Sequence, residues 1–236
     1  LENGTMNTMY NLLLELPFFQ GLCYEDLTSI LEKITLKFQE FKADQIIVEK
    51  GSSANQLLFI MEGRILKEST SLNGKLVMEE IIRSPYVVEP HALFGWSTTF
   101  FSKYTTHTNT KALIVSKDAL RTELLNYEVF KLNYLNYICY NNQLLNNQRW
   151  NLEGQSLEEQ LISIFWNLSD KNCIQQTIKV KMTDLAHFIN STRLNVSKIL
   201  NHWNDTQLIE LSRQEIIVPN PKKLLMRKDI LRRERE

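Results

Sequence analysis

The chain carries 27 basic and 27 acidic side chains in 236 residues, a formal net charge of zero, and its 43% hydrophobic and 10% aromatic content excludes a disordered or low-complexity chain. Three widely separated cysteines, Cys23, Cys139 and Cys173, exclude a disulfide framework and a four-thiolate cluster and point to a reducing, cytoplasmic setting. No apolar run reaches the roughly 18–20 residues of a membrane span, and nothing near the first residues reads as a signal peptide.

The charge is uneven along the chain. Residues 1–150 hold 14 basic and 16 acidic side chains, whereas residues 177–236 hold 12 basic and 7 acidic. A zero total that averages over an acidic and a basic part predicts a two-part molecule, and does not exclude nucleic acid as a partner.

Residues 10–40 have helix-like apolar spacing, with Leu12, Leu13 and Leu16 before Pro17 and Leu27, Ile30, Leu31 and Ile34 after it. From about 41 to 115 the texture changes to short β-rich runs: Ile46–Val48, Leu57–Met61, Leu76–Met78 and Ala112–Val115. Asn73-Gly74 between two such runs predicts a hairpin whose two turn positions both have φ > 0. Short strands at close spacing predict an antiparallel roll or barrel. Residues 118–149 return to helical texture and read as one long helix with two adjoining seams. One seam is Phe130, Tyr134, Tyr137 and Leu144; the other is Leu135, Ile138 and Leu145. A helix on its own barrel needs one seam, so the second predicts a partner, most simply a second copy; the alternative is a broad buried face in a monomer.

A domain boundary is expected near 150, where the apolar pattern lapses. Ser156 followed by Glu159 is a capping box that opens the next helix. Thr183 then caps a short helix burying Leu185, Ala186 and Ile189. Asn190 supplies a left-handed turn residue, and Thr192 caps a second helix. Val196, Ile199, Leu200 and Trp203 of that helix face inward, while Arg193, Leu194, Ser197, Lys198 and Asn201 share the outer face. Two short helices on a tight turn with a polar, basic outer face describe a helix-turn-helix. Leu208–Leu211 and Glu215–Val218 around Ser212-Arg213-Gln214 read as a hairpin, which makes the module winged.

These stretches resemble the Crp/Fnr family of bacterial transcription regulators over nearly the whole chain. The resemblance lies in Phe18–Leu22, Asp26-Leu27, Phe41–Ile47, Gly51-Ser52 and Leu57–Ile65. It continues through Leu185-Ala186, Thr192-Arg193, Val196–Leu200 and Leu208-Ile209. It implies an α+β chain: an N-terminal double-stranded β-helix, or jelly-roll, sensor domain of cyclic-nucleotide-binding type over 6–117, a long dimerisation helix over 118–149, and a C-terminal winged helix-turn-helix over 150–236. By the same resemblance Thr183, Thr192 and Asn195 hold phosphates, Arg193 reads guanine, and Lys198 stands where many members have a second base-reading arginine, with Ser197 and Asn201 on the same face. Leu194 departs from the family's frequent glutamate. A glutamate accepts from cytosine N4, whereas a leucine makes apolar contact, for instance with a thymine methyl, so the target sequence should differ.

The sensor half departs further. Where members that bind cyclic AMP carry a Gly-Glu pair and an Arg-Ser/Thr pair, this chain reads Val87-Val88-Glu89-Pro90-His91, with no arginine between Arg83 and Arg121. A buried phosphate needs a fixed cationic partner, so cyclic-nucleotide binding is not expected, and Lys103 and Lys111 are the candidates left to serve. Glu89, His91, Trp96 and Thr98 are the candidate lining of a pocket for an unidentified small-molecule effector. The four histidines lack ligand spacing, so no metal or other cofactor is expected.

The expected protein is a dimeric regulator on a pseudo-palindromic double-stranded DNA operator, with RNA polymerase as a further partner and no membrane. A ligand-sensing or protein-interaction module with a degenerate helix-turn-helix is the alternative. An enzyme of the metal-dependent cupin kind would need a His-x-His and carboxylate cluster that His91 and His107 do not supply.

Overall fold

The structure, a computed structural model, describes residues 10–150 and 156–233. It divides into two compact units: residues 1–65 with 83–146, and residues 66–82 with 147–236. The expected boundary near 150 adjoins residues 151–155, which lie outside the described residues.

The first unit begins with a helical segment at residues 10–14 (α1) and α2 (Tyr24–Lys33). It continues with the strands β1 (Lys37–Phe41), β2 (Ile46–Val48), β3 (Gln56–Glu62), β6 (Tyr86–Val88), β7 (Lys103–Thr106) and β8 (Thr110–Ser116). β1, β8, β3 and β6 form an antiparallel sheet in that order, with Phe59 opposite Leu113 on one side and Val87 on the other. β2 pairs with β7, and the two layers make the roll. Leu57, Leu58, Phe59 and Ile60 are all buried, so β3 is covered on both faces and reads as a continuous apolar run. At the end of β3 Gly63 has φ +100, and a Cβ there would lie 2.6 Å from the Asn109 carbonyl oxygen. That turn admits only glycine. Phe18 and Phe19 stack edge-to-face on Phe59 and Phe130, fastening the base of the long helix to the roll.

Three local expectations change. The helical spacing of residues 10–40 stops at Ile34, which is extended, because Lys37–Phe41 pair with β8 instead. The expected helix over 118–149 is broken into α3 (Lys117–Thr122), a 3-10 turn (Leu124–Asn126) and α4 (Glu128–Trp150). Here Thr122 Oγ1 donates to the Asp118 carbonyl and Asn126 Nδ2 to the Thr122 carbonyl, side-chain bonds that compete with helix continuation. On α4 the first seam is inside, with Phe130 and Tyr134 buried and Tyr137 and Leu144 half-buried. On the second seam Ile138 is half-buried, while Leu135 and Leu145 are 49% and 56% exposed.

The third change is the Asn73-Gly74 turn. Only Gly74 has positive φ, and the loop is longer than two residues: the Gly74 N–H closes onto the Ser71 carbonyl, and Asn73 Oδ1 accepts from the Lys75 N–H. The asparagine works through its side chain, as an Asx turn, rather than through a left-handed backbone.

That hairpin, β4 (Arg64–Thr70) and β5 (Leu76–Arg83), runs for most of its length in the second unit. There the chain also forms α5 (Leu157–Leu168), β9 (Cys173–Val180), α6 (Met182–Phe188), α7 (Arg193–Asp205), β10 (Glu210–Ser212), β11 (Glu215–Val218) and α8 (Pro221–Arg233). The strand order is β10-β11-β9-β5-β4. Ser156 caps α5 as expected, with the Glu159 carboxylate returning to its N–H. One core joins Leu161, Ile162 and Phe165 of α5 to Ile178, Leu185, Val196, Leu200 and Trp203, and Met78 from β5 enters it.

Candidate nucleic-acid interface

The two helices expected to touch DNA are held by a small set of contacts. α6 ends at a turn where Asn190 has φ 52, the left-handed value expected of it. Thr192 Oγ1 caps α7 by accepting from the Asn195 N–H at 3.2 Å. Val196, Leu200 and Trp203 are completely buried, and Ile199 is half-buried. The one polar atom of that inner face, the Trp203 indole N–H, donates to Glu158 on α5 at 2.9 Å, and Arg227 on α8 lies 3.3 Å from the same oxygen. Glu158 therefore ties three helices and fixes how far α7 rotates about its axis.

The consequence is an outer face in which Arg193, Leu194, Asn195, Lys198 and Asn201 are exposed and Ser197 is half-buried. Leu194, 64% exposed, stands out as a large apolar side chain on that face. Thr183 does not cap α6. Lys181 holds the N-cap position with no side-chain cap, because β9 runs directly into the helix and the Lys181 carbonyl already accepts from Leu185. Thr183 instead sits exposed in the first turn.

Between α7, the start of α6 and the wing lies a groove of about 460 Å³, lined among others by Lys181, Thr183, Arg193, Asn201, Ser212 and Arg213. Lys181 and Arg213 were not singled out from the sequence. Arg213 belongs to the tight turn between β10 and β11, where Gln214 has φ 63, and a basic residue at the tip of a wing is the signal that could have found it. Conversely, part of the basic excess of residues 177–236 is engaged in contacts within the second unit. Arg227 serves Glu158, Lys228 donates to Ser163, and Lys179 pairs with Glu79, which raises the Lys179 pKa through that hydrogen bond.

The candidate effector residues differ widely in burial. Glu89 is buried, in a left-handed conformation (φ 33) ahead of a 3-10 turn. Its carboxylate accepts from the Phe101 and Ser102 N–H groups at 2.7 and 3.0 Å and from the Tyr104 hydroxyl at 3.2 Å. It is committed to holding the lead-in to β7. His91 is exposed, Trp96 stands wholly in solvent, and Thr98 is half-buried. Of the two lysines left to meet a phosphate in the roll, Lys111 lies outside, 53% exposed and 3.0 Å from Glu62. Among the described residues no group of three His, Cys, Asp or Glu is placed to hold a metal ion, and no helix is long and apolar enough to cross a membrane.

Residues 159–227 match the family model of the Crp-like helix-turn-helix domain. No curated protein matches the chain. Among solved structures it is similar to the catabolite activator protein of Thermus thermophilus (15% identity, 88% of this chain and 96% of that one, TM-score 0.48). It is also similar to the sensor domain of the transcriptional regulator DNR of Pseudomonas aeruginosa (14%, 65% and 99%, TM-score 0.49). A third is the c-di-GMP-responsive global regulator CLP of Xanthomonas campestris (14%, 83% and 99%, TM-score 0.47).

Proposed function

We propose how this DNA-binding transcription regulator, built on a Crp-like helix-turn-helix domain, reads its target: as a homodimer that inserts α7 of each copy into successive major grooves of a pseudo-palindromic operator. It is a regulator and not an enzyme. The observation that carries the reading is the outer face of α7, where a buried Trp203 and its Glu158 partner turn Arg193, Leu194, Ser197, Lys198 and Asn201 outward together.

The roles follow from the chemistry. The Arg193 guanidinium is a planar fork matched to O6 and N7 of guanine. Lys198 donates as a point charge, and Leu194 offers apolar contact to a thymine methyl. Ser197 and Asn201 supply polar contacts on the same face. Thr192 accepts from the Asn195 N–H through its oxygen and retains its O–H for a phosphate at the start of α7, and Thr183, in the lining of the groove, is a further DNA-backbone contact. Lys181 and Arg213 add cations to the groove walls.

The second copy belongs on the outer seam of α4, where Leu135 and Leu145 stand half in solvent. In this reading the three parts of the chain serve as sensor, dimer helix and reader, with the hairpin Leu66–Ile82 grouped with the reader. RNA polymerase is the partner downstream. A small-molecule effector of the roll would use groups other than Glu89, whose oxygens already accept three hydrogen bonds.

The test is to select a preferred duplex from random sequence with the purified protein and compare it with an unrelated duplex of equal length. Half-sites about one helical turn apart are expected. Arg193→Ala should reduce the preference by roughly 10- to 100-fold while leaving binding to the unrelated duplex nearly unchanged. Full discrimination by that variant would remove α7 as the reading helix.

A further inference from the structure

The hairpin Leu66–Ile82 is fixed to the DNA-binding unit at several points. β5 lies antiparallel along β9 in a register that runs from Leu76↔Val180 to Ile82↔Cys173. Met78 is buried in the same core as Phe165 and Trp203. Glu80, wholly buried, lies 3.0 Å from Lys67 and accepts from the Asp170 N–H.

The register has a consequence at the turn. With Leu76 opposite Val180, the preceding residue, Lys75, falls beside the junction of β9 and α6. Val180, Lys181, Met182 and Thr183 of that junction line the groove that also contains Arg193 and Arg213. Lys75 Nζ is 3.1 Å from Asp184 Oδ1, and its side chain is 61% exposed. Two independent observations, the ladder and the ion pair, thus bring a cation from the N-terminal half of the sequence to the edge of the proposed DNA groove. Asp184 is an acid next to Thr183, and alone it would repel a phosphate there. An exposed ion pair is a weak restraint, and lysine is a mobile point charge with three donors.

We propose that Lys75 is a DNA-backbone contact supplied by the hairpin: it offsets the Asp184 charge and turns onto a phosphate at the groove edge. The inference rests on the reading of α6, α7 and the wing as the DNA interface.

The test uses the full chain and two duplexes, the one selected by the protein and an unrelated one. Lys75→Ala should weaken binding to both by about three- to tenfold, and should reduce the slope of log affinity against log salt by about 0.9, the release of one counterion. Lys75→Arg should keep affinity and slope, Lys75→Glu should lose more than Lys75→Ala, and Asp184→Asn should tighten binding. A merely structural role would lower the thermal midpoint without moving the salt slope, so an unchanged midpoint with a reduced slope is the expected signature. If Lys75→Ala and Lys75→Glu keep the parent's affinity and slope while Arg193→Ala loses discrimination, Lys75 is not a contact and the DNA reading stands. If the parent binds neither duplex at low salt, the DNA reading and this inference fall together.

Discussion

At the scale of single residues, the outer face of α7 is set by atoms on its inner face. Trp203 fills the core and passes its N–H to Glu158, which also meets Arg227. Glu158→Ala leaves a buried indole N–H without a partner, a cost of about 1–3 kcal/mol, and it should blur operator discrimination as well as lower the denaturant midpoint. Leu194→Glu restores an acceptor for cytosine N4, so the selected sequence should change at one position per half-site while affinity for unrelated DNA falls slightly. Cys173 and Tyr134 make a different statement. Burial pushes the Cys173 thiol up from 9.0 to about 12, with the nearby Glu80 adding to it, and burial pushes the Tyr134 phenol up from 10.0 to about 12. Both are held neutral, Tyr134 as a donor to the Pro90 carbonyl at 2.7 Å. A folded pKa above the unfolded value means stability is complete below pH about 9 and is lost as pH climbs toward about 12. Denaturation followed across that range should show the loss, and Cys173→Ala should flatten its lower part. At pH 8 a thiol reagent should find Cys23 and Cys139 quickly, and Cys173 only on unfolding, because Cys173 alone of the three is buried.

At the scale of elements, the capping box at Ser156 and the helix pair Leu185–Trp203 were legible because they depend on neighbours within a few residues. Ser156→Ala should cost about 1 kcal/mol, read from the denaturant midpoint. The hairpin turn was legible as a turn but not in its form, since Asn73 acts through its side chain. β9 was not legible. Its alternate residues Gln176, Ile178 and Val180 are buried together, but Gln176 is polar, and it is admitted only because its Nε2 reaches the Phe165 carbonyl and Met78 sulfur. The Lys67–Glu80 pair depends equally on long-range placement. Lys67→Met leaves a buried carboxylate without its cation and should cost about 3 kcal/mol, far more than loss of the exposed pair at Lys75. Thermal unfolding of the two variants side by side measures the contrast.

For the whole molecule, the zero net charge separates into an acidic part and a basic one, but the basic count overstates what faces DNA. Lys179, Arg227 and Lys228 serve contacts within their own unit, while Lys181, Arg193 and Arg213 line the groove. The second unit is also not continuous in sequence. It takes residues 66–82 from the N-terminal half, so the chain passes between the two units three times rather than once. The exposed second seam of α4 belongs to this scale too. For the proposed homodimer, Leu135→Lys should shift sedimentation toward a monomer and weaken binding to the selected duplex steeply, since two half-sites would then be read one at a time.

The sequence alone determined what rests on short-range periodicity: the short strands of the roll, the long helix though not where it begins, the helix-turn-helix with its wing, and the residues of α7 that face outward. Those follow from side-chain alternation, caps and turn chemistry, which act over one to four positions. Only the tertiary structure decided what those patterns meet. It gave the Glu89 carboxylate two backbone amides and a phenol as partners, exposed His91 and Trp96, moved the cap position of α6 to Lys181, and carried the Leu66–Ile82 hairpin into the reading unit. Such outcomes depend on which distant strand completes a ladder, and local sequence does not encode the partner of an unpaired edge.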